Sequence, residues 1–141
     1  VHAYGNNWDQ FPDMKEAAKG SAQNGNMLNN LMNRSKICIS NSPGTTLHMR
    51  ALEIMGSRSF MLSKWVPEAW DNSPIKRYFS EEDGEVVFFN NEHELLELVQ
   101  RYLPDEQARE KVAEASYKKV VETLSYKSIA DSILETVRRS L

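Results

Sequence analysis

An arginine and a glutamate stand three residues apart in the segment NSPGTTLHMRALEIMG, residues 41–56. At helical spacing, Arg50 and Glu53 share one face with Thr46, well away from the apolar face, so we expect these side chains to reach solvent. The arginine fork suits phosphate oxygens, and a carboxylate accepts two hydroxyl hydrogens, as from a ribose. The competing interpretation is a solvated ion pair worth only a few tenths of a kcal/mol.

The turn in front of this helix has the composition of an anion-binding segment. Gly44 lets the backbone come close to a ligand, and Thr45 or Thr46 caps the helix or donates a hydroxyl group. A helix N-terminus offers unpaired N–H groups and a partial positive charge, which suits phosphate. The turn is not a P-loop, because it lacks the glycine-lysine-serine/threonine ending.

Short apolar runs alternate with helical periodicities along the chain, which predicts an α/β fold. The expected strands are VHAY (1–4), KICIS (36–40), SFML (59–62) and EVVFF (85–89). Their apolar character favours a parallel sheet of four or five strands with helices on both faces. We expect helices at about 26–34, at 45–56, from a start at Asn91 and Glu94, from residue 105 onward, and at about 127–139. The last helix, a C-terminal tail, is expected to turn Ile129, Ile133, Leu134 and Val137 toward the core.

Ligands of open parallel sheets bind beyond the carboxyl ends of the strands. Three segments are expected at that edge: GNNW (5–8), NSPGTT (41–46) and SKWVPE (63–68). The first adds Gly5, Asn6 and Asn7 to the candidate binding residues. Together with the helix, the sequence predicts one cleft lined by Gly44, Thr45, Thr46, Arg50 and Glu53, with residues 5–7 nearby.

Composition limits the classes of function. The chain has 141 residues and a net charge of −3, which predicts a single domain with no general attraction to nucleic acid. It has one cysteine and three scattered histidines, so neither a disulfide framework nor a metal site is expected. No transmembrane segment or signal peptide is visible, and we expect a cytoplasmic protein. Since the chain begins at Val1 and not at methionine, we expect it to be part of something longer.

The chain resembles the C-terminal, donor-binding half of a GT-B glycosyltransferase. It is most similar to the spore-protein glycosyltransferase-like domains and, more distantly, to the group 1 transferases. The segments that carry the resemblance are YGNNW (4–8), SKICISN (35–41), GTTLHMRALEIMGSRSFMLS (44–63), GEVVFFNNEHELLELVQRYL (84–103) and AEASYKKV (113–120). Its most specific part is the helix with arginine, two residues, then glutamate, followed by glycine and an apolar strand.

The resemblance implies a Rossmann-like domain over residues 1–141 that binds a nucleotide-diphosphate sugar as donor substrate. Glu53 matches the glutamate that holds the ribose in such families. Arg50, Gly44, Thr45 and Thr46 match the residues that hold the diphosphate or the donor sugar. The implied enzyme is a metal-independent transferase without a cofactor. Its acceptor and any catalytic base would come from an N-terminal acceptor-binding domain of the same chain, so the isolated domain is expected to be inactive.

Two departures from the family pattern support an alternative from another class. Thr45 stands where group 1 transferases place a second glutamate, and the GNNW turn lacks the arginine and lysine that meet the diphosphate. Arg50, Arg58 or Lys64 would have to supply that charge. The alternative is a non-catalytic Rossmann-like interaction module whose ligand site has decayed. The sequence names no catalytic residue, sugar, base or acceptor.

Overall fold

A computed structural model describes residues 1–41, 48–65 and 74–140. The chain divides into two compact units, Val1–Leu31 and Met32–Leu141. The expected binding residues Gly44, Thr45 and Thr46 lie outside the described residues, as does the second half of the SKWVPE segment, residues 66–68.

A parallel three-stranded sheet lies at the centre of the larger unit. Its strands are β1 (Cys38–Ser40), β2 (Met61–Lys64) and β3 (Val87–Phe89), in the order β1-β2-β3. Cys38 pairs with Met61, and Leu62 pairs with Val87. The α/β class and the parallel sheet are confirmed. Strands β1 and β3 are each two residues shorter than the apolar runs, and β2 begins two residues later than expected.

The segment VHAY does not join this sheet, so that part of the prediction is wrong. Ala3 forms an isolated parallel bridge with Ala18. The amide of Ala3 donates to Ala17, and the carbonyl of Ala3 accepts from Lys19. Ala3 therefore uses both backbone groups within the smaller unit, and the run forms a single bridge there in place of a strand of the sheet.

Six α-helices are described: α1 (Asn26–Arg34), α2 (Met49–Gly56), α3 (Pro74–Tyr78), α4 (Glu92–Tyr102), α5 (Glu106–Lys119) and α6 (Tyr126–Ser140). The helix expected at 26–34 is confirmed at both ends. The helix expected at 45–56 begins later within the described residues, because His48 has an extended backbone and caps it. None of these helices combines the length and apolar character that crossing a lipid bilayer requires.

Both faces of the sheet are covered. Successive side chains of a strand point to opposite faces, and three in a row are buried in β2: Met61, Leu62 and Ser63. A cluster of buried side chains lies on the Leu62 face and joins the sheet to α4 and α5 through Phe60, Leu62, Phe89, Tyr102 and Ala113. Phe60 and Tyr102 stack with ring centroids 4.6 Å apart. Helix α2 contacts β1 and β2 and buries Ala51, Ile54 and Met55.

The helical tail departs from expectation at its last element. Helix α5 continues into a π-helical turn, Val120–Leu124. Ser125 then has an extended backbone, which ends the helix before α6 begins. The hydroxyl of Ser125 accepts from the Ser128 amide at 3.1 Å and caps α6. Helix α6 has no buried residue, and its contacts are chiefly with the π-helical turn. The prediction that its apolar side chains face the core is wrong: they are exposed at Ile129, Ile133, Leu134 and Val137.

Candidate functional site

Arg50 and Glu53 form an exposed ion pair in the first two turns of α2. Arg50 Nη1 lies 2.8 Å from Glu53 Oε2, and the side chains are 44% and 37% exposed. His48 caps the helix, with its Nδ1 accepting from the Arg50 amide at 3.3 Å. The opposite face of α2 is fixed by buried Ala51, Ile54 and Met55. The helix therefore holds both charged groups toward solvent, where a ligand could reach them.

The start of α2 lies on the carboxyl side of the sheet. The chain leaves β1 at Ser40, returns through α2 and enters β2 at Met61, parallel to β1. A connection of this kind places the helix N-terminus beyond the strand ends and the helix C-terminus near the beginning of the next strand. Arg50 is thus nearer than Glu53 to the edge where open parallel sheets bind ligands.

A cleft of about 680 Å³ opens on the same side of the sheet. Residues at or just beyond the strand ends line it, among them Ile39, Asn41, Lys64 and Phe89, and the beginning of α4 adds Asn91 and His93. Lys64 gives the cleft a positive charge at the end of β2, whereas Arg50 and Glu53 do not line it. The cleft has the volume of a small-molecule site.

In the smaller unit, the GNNW turn lines a separate concave surface of about 510 Å³. Gly5 has a φ of 141°, and a side chain there would come within 2.9 Å of Trp8 Nε1, so only glycine fits. Asn6 accepts a hydrogen bond from Ser21, and Asn7 accepts one from Gln10. Lys15 lines the same surface. Residues 5–7 belong to this unit, and their expected proximity to Arg50 and Glu53 stays a prediction.

Arg58 does not lie at the carboxyl edge of the sheet. The expectation that it could supply positive charge to a ligand there is therefore wrong. Arg58 lies in the turn before β2, at the amino end of the sheet. Its Nε is 3.3 Å from Glu114 Oε2, and its guanidinium group lies 4.2 Å from the ring centroid of Tyr117. Tyr117, expected in the core, is half-buried and forms the platform for this arginine.

Across the ranges 1–41, 48–65 and 74–140, no group of three or more histidine, cysteine or acidic side chains is arranged to hold a metal ion. His48 caps α2, and His93 lies 3.2 Å from Glu97 on the surface of α4. These two histidines therefore have local structural partners.

Comparison with known proteins identifies the family. The profile of the glycosyl transferase-like family matches residues 1–135. The chain is a glycosyl transferase-like protein. The resemblance to group 1 transferases drawn from the sequence is thereby confirmed, and the match extends through both compact units into α6. A search of curated proteins finds no significant match.

Sequence reasoning about this glycosyl transferase-like chain did not single out Lys15, which lines the concave surface of the smaller unit. Lys15 lies ten residues after Gly5, in a stretch without clear periodicity. Two short 3-10 turns, Trp8–Gln10 and Pro12–Met14, fold that stretch back. The hydrogen bond from the Gly5 amide to Gly20 closes the loop at 2.8 Å. Pro12 was the available signal, since proline begins such turns.

Proposed function

We propose that the chain binds a nucleoside-diphosphate sugar and forms the donor-binding part of a cytoplasmic GT-B glycosyltransferase. The observation that carries this proposal is the exposed Arg50–Glu53 pair near the carboxyl edge of a parallel sheet. The family match supports glycosyl transfer in general. The substrate class follows from the two side chains: a carboxylate for a hydroxyl pair and a guanidinium group for phosphate oxygens.

In the proposed complex, Glu53 accepts hydrogen bonds from two ribose hydroxyl groups, and Arg50 turns from Glu53 toward the diphosphate. Gly44, Thr45 and Thr46 are assigned to the diphosphate or the sugar, as the family pattern implies. Gly5, Asn6 and Asn7 contribute backbone and amide groups. Lys64 is a candidate source of the positive charge that the GNNW turn itself lacks.

The reaction would break the bond between the anomeric carbon and the diphosphate oxygen and form a bond from that carbon to an acceptor oxygen. The acceptor proton passes to a base, and the diphosphate leaves with the bonding electrons. Arg50 would stabilise the negative charge that develops on the leaving group, so this scheme needs no metal. The acceptor and the base are assigned to an N-terminal domain of the same polypeptide, and the domain alone would bind donor without efficient turnover.

Ligand-induced stabilisation of the 141-residue chain tests the proposal. A uridine or guanosine diphosphate sugar at a hundredfold excess over Kd adds about 2.7 kcal/mol, which raises Tm by roughly 5–15 °C. Glu53→Ala should lower the binding free energy by about 1–3 kcal/mol. Arg50→Ala should weaken the binding of diphosphate compounds more than the binding of the bare nucleoside.

Matched controls lie in α6, where Glu135 and Arg139 form another exposed intrahelical pair. Glu135→Ala and Arg139→Ala should leave nucleotide binding unchanged. The proposal fails if no nucleotide binds at concentrations of about 1 mM, a weak affinity by any standard. It also fails if Glu53→Ala lowers the stability of the free chain while leaving its affinity for nucleotide unchanged.

A second candidate function is a non-catalytic interaction module. The exposed apolar side chains of α6 favour it, because contiguous apolar surface is typical of protein interfaces. In the transferase proposal, the same surface would face the N-terminal domain. Nucleotide binding separates the two, since the module would bind none.

A further inference from the structure

A groove of about 280 Å³ lies at the amino end of the sheet, opposite the proposed donor site. The segment before β1 and the segment before β2 form one wall, and the first turns of α5 form the other. Its volume is close to the lower end of the range for small-molecule sites, about 300–1,000 Å³. Neither Arg50 nor Glu53 lines it.

Arg109 lies in this groove and is only 8% exposed. Its Nη1 donates to the carbonyls of Tyr102 and Leu103, at 2.6 and 2.8 Å. Within the described part of the chain, its Nε and Nη2 have no hydrogen-bond partner, and no carboxylate lies within 4.0 Å of it. A buried guanidinium group with unused donors is costly unless an anion or water satisfies it.

The other charges of the groove favour an anion. Four cationic side chains line it, against two carboxylates, Glu106 and Glu110: the cations are Arg34, Lys36, Arg58 and Arg109. Arg34 and Lys36 are exposed and form no ion pair with a described residue. Ser59 also lines the groove, but its hydroxyl group is bonded to Asn33 and Ser57. Arginine and lysine side chains are typical partners of the oxygens of a phosphate group, which carries most of its second negative charge near neutral pH.

We propose that this groove binds a phosphate group, either free phosphate or the phosphate of a small phosphomonoester, with Arg109 as its buried anchor. Arg34 and Lys36 supply the accessible charge. The two α5 carboxylates lower the affinity for the anion and keep the binding reversible. The site is independent of the donor site and lies at the opposite edge of the sheet.

The test is an NMR titration of the ¹⁵N-labelled 141-residue chain at constant ionic strength, with inorganic phosphate, glycerol 3-phosphate and acetate as probes. Phosphate and its ester should cause saturable shifts of the Lys36, Arg58 and Ser59 amides, and acetate should not. Tighter binding of the ester identifies a phosphorylated small molecule as the ligand, whereas equal binding identifies free phosphate.

Arg34→Gln should lower the affinity for phosphate about tenfold, which is the equivalent of one charged hydrogen bond. Arg138→Gln is the matched control, because both are exposed arginines in the last turn of a helix. Glu110→Gln should strengthen binding two- to threefold, roughly the effect of removing one screened repulsion. Arg50→Gln should change nothing here, which separates this site from the donor site.

The proposal is overturned if the amide shifts do not saturate at a phosphate concentration of about 50 mM, which is far above the Kd of a weak specific site. It is also overturned if Arg34→Gln and Arg138→Gln lower the affinity for phosphate equally, since that pattern means a general charge effect. Because both variants change exposed residues, these results do not depend on whether an Arg109 variant folds.

Discussion

Arg109 joins two helices through one buried side chain. It extends from α5 to the carbonyls of Tyr102 and Leu103, where the last carbonyls of α4 lack helical partners. Arg109→Ala would leave these carbonyls without their charged donor, and we expect a loss of about 2–4 kcal/mol in the free energy of unfolding. Urea denaturation measures this loss. Arg101→Ala, at an exposed position of α4, is the control and should cost far less.

The thiol of Cys38 should be alkylated slowly, although its side chain is only half-buried. Burial raises the pKa of the Cys38 thiol from 9.0 to about 11, and a hydrogen bond with Ser35 opposes the rise only partly. At about pH 8 the thiolate fraction should then be roughly a hundredfold below that of the unfolded chain. Alkylation followed by mass spectrometry tests this, with the urea-unfolded chain as reference. Equal rates in the two states would contradict a raised pKa.

At the scale of single residues, the sequence predicted exposure better than burial. Arg50 and Glu53 share an exposed face because helical spacing fixes faces locally. Arg109 belongs to a stretch, EQAREKVAEASYKK, that has the composition of a solvated helix face. Its burial depends on where α4 ends, seven residues earlier in the chain, and on how the two helices pack. No local pattern carries that information.

Among the elements, the helix starts follow local chemistry. Asn91 accepts from the Glu94 amide at 3.0 Å, and Glu94 accepts from the Asn90 amide at 2.7 Å. Asn91→Ala should lower the free energy of unfolding by about 1 kcal/mol, because one amide at the start of α4 loses its acceptor. Asn91→Asp keeps an acceptor and should cost nothing. Thermal unfolding of both variants checks this, and equal losses would show that the cap does not stabilise α4.

The capping pattern was predictable because it lies within four residues. The strands were predictable as apolar runs but not in length or number. VHAY has the composition of a strand, yet it lies outside the sheet and pairs only at Ala3, with residues 17–19. Strand pairing is non-local, so a four-residue run cannot reveal its partner.

For the whole molecule, the main difference from expectation is the apolar face of α6. The spacing of the apolar residues in α6 matches that of a core-facing helix. Ile133 is nevertheless 58% exposed, whereas Ile54 of α2 is 3% exposed. Ile54→Ala should therefore cost about 2–5 kcal/mol, and Ile133→Ala should stay within about 0.5 kcal/mol. Both are isoleucines in helices, so urea denaturation compares them directly. A large loss at Ile133 would mean that α6 packs on the core. Periodicity fixes which face of a helix is apolar, but not what covers that face.

The π-helical turn and Ser125 have a consequence for how the folded state opens. Helix α6 has 15 residues and is stabilised by its cap, its own ion pairs and contact with the turn before it. A helix of this length is marginal in water without packing. Its amide protons should therefore exchange with deuterium through local opening, long before those of β2. A partner that covers Ile133 and Val137 would slow exchange in α6 selectively, so deuterium uptake would detect such a partner without a functional assay.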